Sequence, residues 1–549
     1  MEQKKHPTNN FLSSIPKVIA LFIFMLSASL VRAQVADYQV VPKPQDIRLT
    51  SEKPFIIDGS CLIVCNTDDA KMKRNAEFLK EYIQQSTGLS LDIAGKLPKK
   101  VKGIKLTVNE KLGNGEAYHL SVSGRGGVVI EGGSPQGVFY GIQTIRKSLQ
   151  GCEMPAVEIS DRPRFGYRAM HLDVCRHFFP IEVVKEYIDV LAMHNMNTFH
   201  FHLTDDQGWR IESKRYPRLH EVGSQRRHTV IGRNIGIFDD TPHGGYYTQE
   251  QLREIVKYAE ERFITVIPEV ELPGHALAIL AAYPELGCTG GPYEVEPTWG
   301  VFDDILCAGN DKAFDLLCGV IDELVEIFPS KYINIGGDEA PKKRWEKCPK
   351  CQQRIREQGI KASGSLSAEA KLQGYFTNRI EQHVRSLGRN IIGWDEIMEG
   401  DISQSATVLC WRGIEAGEKA AAEGHDVIMA PTAYCYFDYY QLDEEKVWHK
   451  PLLIGGYVPL EKVYGYEPVP ESLSEEAKKH IIGVQANIWT EYIPYRNLLF
   501  YQMLPRAAAM AEIQWIDPEK KDYQQFVERE RRMTKLYERE HIPYCKTIE

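Results

Sequence analysis

After residue 166 the chain settles into one repeating pattern, a short and almost wholly apolar run followed by a stretch of helical period. The apolar runs lie at 167–174, 198–203, 265–271, 332–336, 390–394, 407–411, 426–429 and 481–489, and helical patterns such as 248–262 and 313–328 lie between them. A run that is apolar throughout, rather than at every second residue, is a strand covered on both faces. Strands separated by helices pair in parallel, so eight such repeats over about 340 residues predict an α/β fold, a (β/α)8 TIM barrel whose site lies at the carboxyl ends of its strands.

The polar residues follow that rule. The first run carries Arg168 and Asp173, with Arg176 and His177 just after it; the second leads into His200, His202, Asp205 and Trp209; the third ends in Glu269, Glu271 and Pro273-Gly-His275. The fourth, Lys331-Tyr-Ile-Asn-Ile-Gly-Gly, delivers Asp338-Glu339, and the fifth, sixth and eighth end in Trp394-Asp-Glu396, Trp411 and Trp489-Thr-Glu491. Two adjacent carboxylates at the mouth of a buried strand are costly to desolvate unless function retains them. Three indoles around such a centre suit stacking on the C–H faces of a pyranose, so the rim points to acid/base work on a sugar.

The other segments frame this one. Lys4, Lys5 and Lys17 precede an apolar run from Val18 to about Leu30, and Val31-Arg32-Ala33 offers a small residue for cleavage. Residues 1–33 therefore read as an export signal, its apolar run shorter than the ~20 residues a membrane span needs, which predicts a periplasmic or extracellular protein. Its removal takes away a net +3 and moves the formal charge from −9 to −12, a poor balance for binding nucleic acid. Residues 34–160 mix short strands with helical patterns at about 70–86 and after Ser134, and gather no catalytic side chains. They read as an α+β accessory domain, joined through Ser160-Asp-Arg-Pro-Arg164 to a barrel at 161–515, with a helical extension at 516–549. Twelve cysteines in 549 residues are too few for a disulfide scaffold. Cys348-Pro-Lys-Cys351 has no second ligand pair at a suitable spacing, so it reads as a local disulfide or packed loop rather than zinc; Cys288 and Cys307 are free to pair, with connectivity open.

Taken together, Tyr167-Arg-Ala-Met-His-Leu-Asp-Val-Cys-Arg-His-Phe-Phe179, the Leu-Thr-Asp-Asp-Gln-Gly-Trp-Arg stretch at 203–210, Pro273-Gly-His275 and Gly336-Gly-Asp-Glu339 resemble the ordered motifs of family 20 glycoside hydrolases, the β-N-acetylhexosaminidases. The resemblance spans nearly all the mature chain. It implies exo-acting, retaining release of terminal β-linked N-acetylhexosamine from a glycan, without a cofactor, through an oxazolinium ion formed by the substrate's own acetamide. By motif, Glu339 corresponds to the general acid/base and Asp338 to the residue that orients the acetamido N–H, mutual repulsion and burial favouring a protonated acid. Arg168 corresponds to the arginine that holds O3 and O4, and Asp205 with His275 to a supporting pair. Trp394, Trp411 and Trp489 correspond to the aromatic walls, Tyr436 to the donor to the acetamido carbonyl with Asp438 nearby, and Glu491 to the acid on O4 and O6.

One departure is Asn334, where the family often has histidine; it shares a strand face with Gly336 and Asp338 and does not titrate. Two other readings compete with hydrolysis by the carboxylate pair. A metal-dependent barrel hydrolase would use His200, His202, Asp205 and His275 as ligands, but leaves the indoles and Asp338-Glu339 unexplained. A glycan-binding barrel without turnover would have little use for the pair.

Overall fold

A computed structural model describes residues 38–443 and 451–546; the export signal expected at 1–33 lies outside them. The amino-terminal part is a seven-stranded mixed sheet in the order Asp46–Leu49, Val157–Asp161, Tyr118–Ser123, Gly127–Gly132, Gly103–Val108, Leu62–Cys65, Asp92–Ala94. Two helices accompany it. Ala70–Thr87 is capped by the Asp69 carboxylate on the Met72 N–H, and Pro135–Ser148 by Ser134 on the Gln136 N–H with proline at its first position. Nearly every residue of the second helix is buried, because it lies between the sheet and the barrel: Phe139 meets Phe263 at 5.3 Å and Tyr140 meets Trp515 edge-on at 5.1 Å.

The eight apolar runs form a closed parallel barrel. Its strands are β1 (Tyr167–Asp173), β2 (Thr198–His202), β3 (Thr265–Glu269), β4 (Tyr332–Asn334), β5 (Asn390–Trp394), β6 (Thr407–Cys410), β7 (Val427–Met429) and β8 (Ile481–Ala486). β1 closes the ring by pairing with β2 at Ala169–Thr198 and with β8 at Tyr167–Gly483. Thr248 caps the helix Gln249–Glu260, but the reciprocal partner is Gln251, whose side chain returns to the Thr248 N–H, rather than either glutamate of the first turns. Among the described residues no helix is long and apolar enough to cross a membrane.

The junction between the two parts departs from the sequence expectation of a linker at 160–164. Asp161 ends a sheet strand and is buried, accepting hydrogen bonds from the Gln45 N–H at 2.8 Å and the Trp515 indole at 2.9 Å; the Arg164 N–H reaches the Trp515 carbonyl at 2.9 Å. Polarity made the segment look exposed, whereas its partners come from the far end of the chain. The carboxyl-terminal helix Tyr523–Arg539 buries Phe526, Met533, Leu536 and Tyr537, and just beyond it Glu540 pairs with Arg146 of the amino-terminal part at 2.6 Å.

Candidate active site

At the carboxyl ends of the strands a cavity of about 180 Å³ is lined by Asp205, His275, Asp338, Glu339, Trp394, Trp411, Tyr436, Asp438, Trp489 and Glu491, together with Arg176. Ten of the eleven site residues expected from the sequence meet there. Gly336 and Gly337, both with positive φ, carry the chain from β4 to the carboxylates; a Cβ on Gly336 would lie 1.8 Å from the Glu271 carboxylate, so only glycine fits. Glu339 and His275 themselves have φ of 46° and 47°. Left-handed backbone at a residue other than glycine costs on the order of 1–3 kcal/mol, and its occurrence at two facing side chains marks a functional constraint.

His275 stands between two pairs of carboxylates. Its Nδ1 lies 3.0 Å from Asp206 and 3.2 Å from Asp205, and its Nε2 lies 3.7 Å from Asp338 and 3.6 Å from Glu339. Burial opposes its charge, but Asp205, Asp206 and Glu339 outweigh that and hold its pKa well above the ordinary value, so it is an imidazolium at neutral pH. That charge divides the adjacent acids. Glu339, with 40% of its side chain exposed, is lowered by its hydrogen bond to His275, whereas Asp338, which is buried, is raised from 3.8 to about 6 by desolvation despite His275, with Glu269 and Glu339 adding to the rise. The sequence argument expects the raised carboxyl on the acid, Glu339; in the free site it is on Asp338. The protonation of the pair is set by the charge of His275 acting against unequal burial, and neither is visible in adjacency alone.

Arg168 is not at this site. It is the second residue of β1, at the amino end, about 16 Å along the strand from Asp173 at ~3.3 Å per residue. Its guanidinium donates to Glu116 at 2.7 Å, the Phe165 carbonyl at 2.8 Å, the Tyr140 hydroxyl at 2.8 Å and the Asn195 carbonyl at 3.0 Å, tying the accessory sheet to the barrel floor. The arginine that lines the cavity is Arg176, three residues past the end of β1. It contacts Asp205 at 2.9 Å and Asp173 at 3.4 Å, approaches Glu491 at 4.0 Å and lies over the Trp489 ring at 5.0 Å. The carboxyl-end rule itself distinguishes the two arginines, since Arg176 follows the strand and Arg168 begins it.

The walls are aromatic and held by acids behind them. The Trp394 indole donates to Glu269 at 2.9 Å and the Trp411 indole to Glu396 at 3.0 Å, while Trp411 stacks with Tyr436 and Trp394 tilts against Trp489 at 5.8 Å. Asp438 and Glu491 are both raised, first by burial. His200 and His202 lie beneath Trp394 and Trp489 and do not line the cavity. Both His202 nitrogens are engaged, Nδ1 by Glu269 and Nε2 by Asp205, so His202 itself has no free nitrogen for a metal ion. Asn334 donates to His200 at 2.9 Å and accepts the Gly336 N–H at 3.0 Å, so it supports the glycine turn beside Asp338 by hydrogen bonding alone.

Residues 165–518 match the model of the glycosyl hydrolase family 20 catalytic domain, and residues 37–162 match domain 2 of the same family. The chain belongs to glycosyl hydrolase family 20. It is 42% identical over 514 residues to a beta-hexosaminidase of Porphyromonas gingivalis, an alignment that covers 91% of this chain and 63% of that relative, so the chain spans just under two thirds of that protein's length. Among solved structures, the family 20 exo-β-N-acetylglucosaminidase of Vibrio harveyi in complex with N-acetylglucosamine superposes with a TM-score of 0.80 at 30% identity, covering 94% of this chain and 80% of that one. The family 20 β-N-acetylhexosaminidase of Streptomyces coelicolor gives a TM-score of 0.79 at 28% identity over 93% and 97% of the two chains.

Proposed function

We propose that this family 20 protein is an exo-acting, retaining β-N-acetylhexosaminidase that admits one terminal sugar and uses the substrate's acetamide as nucleophile. The observation that carries the reading is the division of Asp338 and Glu339 within an aromatic cavity, one carboxyl buried and the other half-open. Adjacent residues on one strand end do not straddle a sugar ring as an acid and a nucleophile must in the two-carboxylate scheme. They do suit an acid beside the leaving group and an acceptor beneath the 2-acetamido group. Asp338 Oδ1 is buried without a hydrogen-bond partner in the protein, and an acetamido N–H satisfies it. The Tyr436 hydroxyl, whose pKa burial raises well above the ordinary value, keeps its own proton for the acetamido carbonyl.

The chemistry then runs in two steps. Glu339 protonates the glycosidic oxygen as the acetamido oxygen attacks the anomeric carbon, the aglycone leaves, and an oxazolinium ion forms. Glu339, now a carboxylate, takes a proton from water as the water attacks the same carbon, the ring opens, and the sugar leaves with retained configuration. In the free site the shared proton rests more readily on Asp338. A donated N–H favours the ionised form of Asp338, and a sugar that excludes water raises Glu339, so substrate binding favours protonation of the acid. Arg176, Asp438 and Glu491 hold the hydroxyls, and the indoles pack on the ring and the acetamido methyl. The reading also has the protein exported after cleavage near Ala33; an intact mass that retains 1–33 in the exported fraction refutes that part.

Replacing Glu339→Gln tests the assignment. On a natural glycan, kcat/KM is expected to fall by about 10²–10⁴, and on an aryl glycoside with a good leaving group much less, while binding of N-acetylglucosamine is retained. Normal turnover of the glycan by this variant refutes it. A thiazoline analogue of the oxazoline is expected to inhibit the wild type strongly, and indifference to it removes the acetamide from the mechanism.

A further inference from the structure

Cys348 and Cys351 do have a second pair, brought to them in space. Cys288 and Cys307 come from the long loop after β3, Cys348 and Cys351 from the segment after β4, and one sulfur from each lies within 4.8 Å of all the others. Three of the six separations are nearly equal, 3.8 Å for Cys288–Cys351, 3.7 Å for Cys307–Cys348 and 3.6 Å for Cys307–Cys351, and the other three are within 4.8 Å. None of the four is in a disulfide. Four thiolates about 2.3 Å from a central zinc ion form a tetrahedron with edges of about 3.8 Å. Two disulfides would instead give two short separations and leave the remainder long. Cys307, Cys348 and Cys351 are buried and Cys288 is partly so, which suits a closed structural site with no open position.

The surrounding backbone is shaped for it. Cys348 is the residue before the helix Pro349–Glu357, and Cys351 lies in its first turn, where the helix dipole favours thiolate. Two residues after Cys307, a Cβ on Gly309 would meet the backbone of Lys350 and Cys351 at 2.2–2.6 Å, so the two knuckles approach as closely as glycine allows. The geometry points to a structural zinc site with four cysteine ligands that staples the β3 loop to the β4 loop. The same two loops meet again through the Trp345 indole on the Leu306 carbonyl at 2.9 Å, and within the β3 loop the Leu306 N–H bonds the Pro273 carbonyl at 3.0 Å. One loop carries His275 and the other follows Asp338-Glu339, so the metal would fix the imidazolium relative to the two acids without touching the substrate.

The test uses the full chain purified without chelators. Elemental analysis is expected to find about one zinc per chain, and a mercurial reagent is expected to release it stepwise to a chromogenic chelator. All twelve cysteines are expected to titrate as thiols after denaturation in chelator. Cys307→Ser should lose the zinc and lower Tm by roughly 5–10 °C, while Cys318→Ser, outside the cluster, should keep both. A metal-free wild type with four fewer titratable thiols means two disulfides and overturns the proposal. So does a coloured protein containing iron instead, or a Cys307→Ser chain that keeps its zinc.

Discussion

At the amino ends of the barrel strands Arg168 is enclosed by acceptors, its Nε and both terminal nitrogens donating to the Asn195 and Phe165 carbonyls, Glu116 and the Tyr140 hydroxyl. At the carboxyl ends, Asp338 and Asp438 each have a buried carboxylate oxygen with no protein partner, both Glu271 oxygens are in the same condition, and Glu339 and His275 hold left-handed backbone. Both ends bury charge, so burial does not distinguish them. What differs is completion: the Arg168 guanidinium is satisfied by the protein alone, whereas these carboxylates are left open for something that brings its own donors. At these two places, Arg168 with its hydrogen bonds closed serves the fold, and Asp338 and Asp438 with theirs open line the cavity.

Exchanging the roles of the two arginines is the strongest way to break this contrast. Arg168→Met removes the charged donor from Glu116, Tyr140 and two carbonyls, and loss of one partner of a buried pair costs about 3–5 kcal/mol. The expected result is a marked fall in denaturation midpoint with kcat/KM per folded molecule within about twofold of wild type; a tenfold change in KM would show that the floor serves the site after all. Arg176→Ala should do the reverse, lowering kcat/KM by about 10²–10³. Its own stability loss is measured in the same melts, and activity that follows only the folded fraction would count against a role in holding the sugar.

The contrast also explains what could be read from the sequence. The eight barrel strands were legible because each is a run buried on both faces, and eight of the ten site residues followed because they sit where those runs stop; Tyr436 and Asp438 came from the family resemblance alone. Arg168 was misplaced when a motif was transferred as a block; its position near the start of β1, read by the carboxyl-end rule, would have directed attention to Arg176. The order of protonation at Asp338-Glu339 was not legible, because it depends on His275, whose charge is fixed by Asp205 and Asp206 from another strand end. The linker expected at 160–164 failed for the same kind of reason, since Trp515, some 350 residues away in sequence, supplies the donor to Asp161. Local pattern reports which face a residue occupies; it does not report a partner brought there by closure of the barrel.

The smallest expected effect tests whether the open end is maintained at the expense of stability. Asp338 has a folded pKa of about 6 against an ordinary 3.8, raised chiefly by burial. Between these values the unfolded chain has already released its proton and the native state still holds it, so the contribution of Asp338 is most favourable below about pH 4 and is lost as pH rises through about 6. At about 1.4 kcal/mol per unit, the full loss is on the order of 3 kcal/mol. Asp338→Asn does not ionise and keeps the shape, so it should unfold like the wild type near pH 4 and at a higher temperature than the wild type at pH 7.5, even as its turnover collapses. Melts of both proteins across that range, read as the difference between them, report this carboxyl together with its coupling to Glu271, Glu339 and Glu396. A difference that stays flat with pH, or grows toward acid, would mean that Asp338 is as well satisfied in the free protein as Arg168 is, and the distinction between the two ends would fail at its central residue.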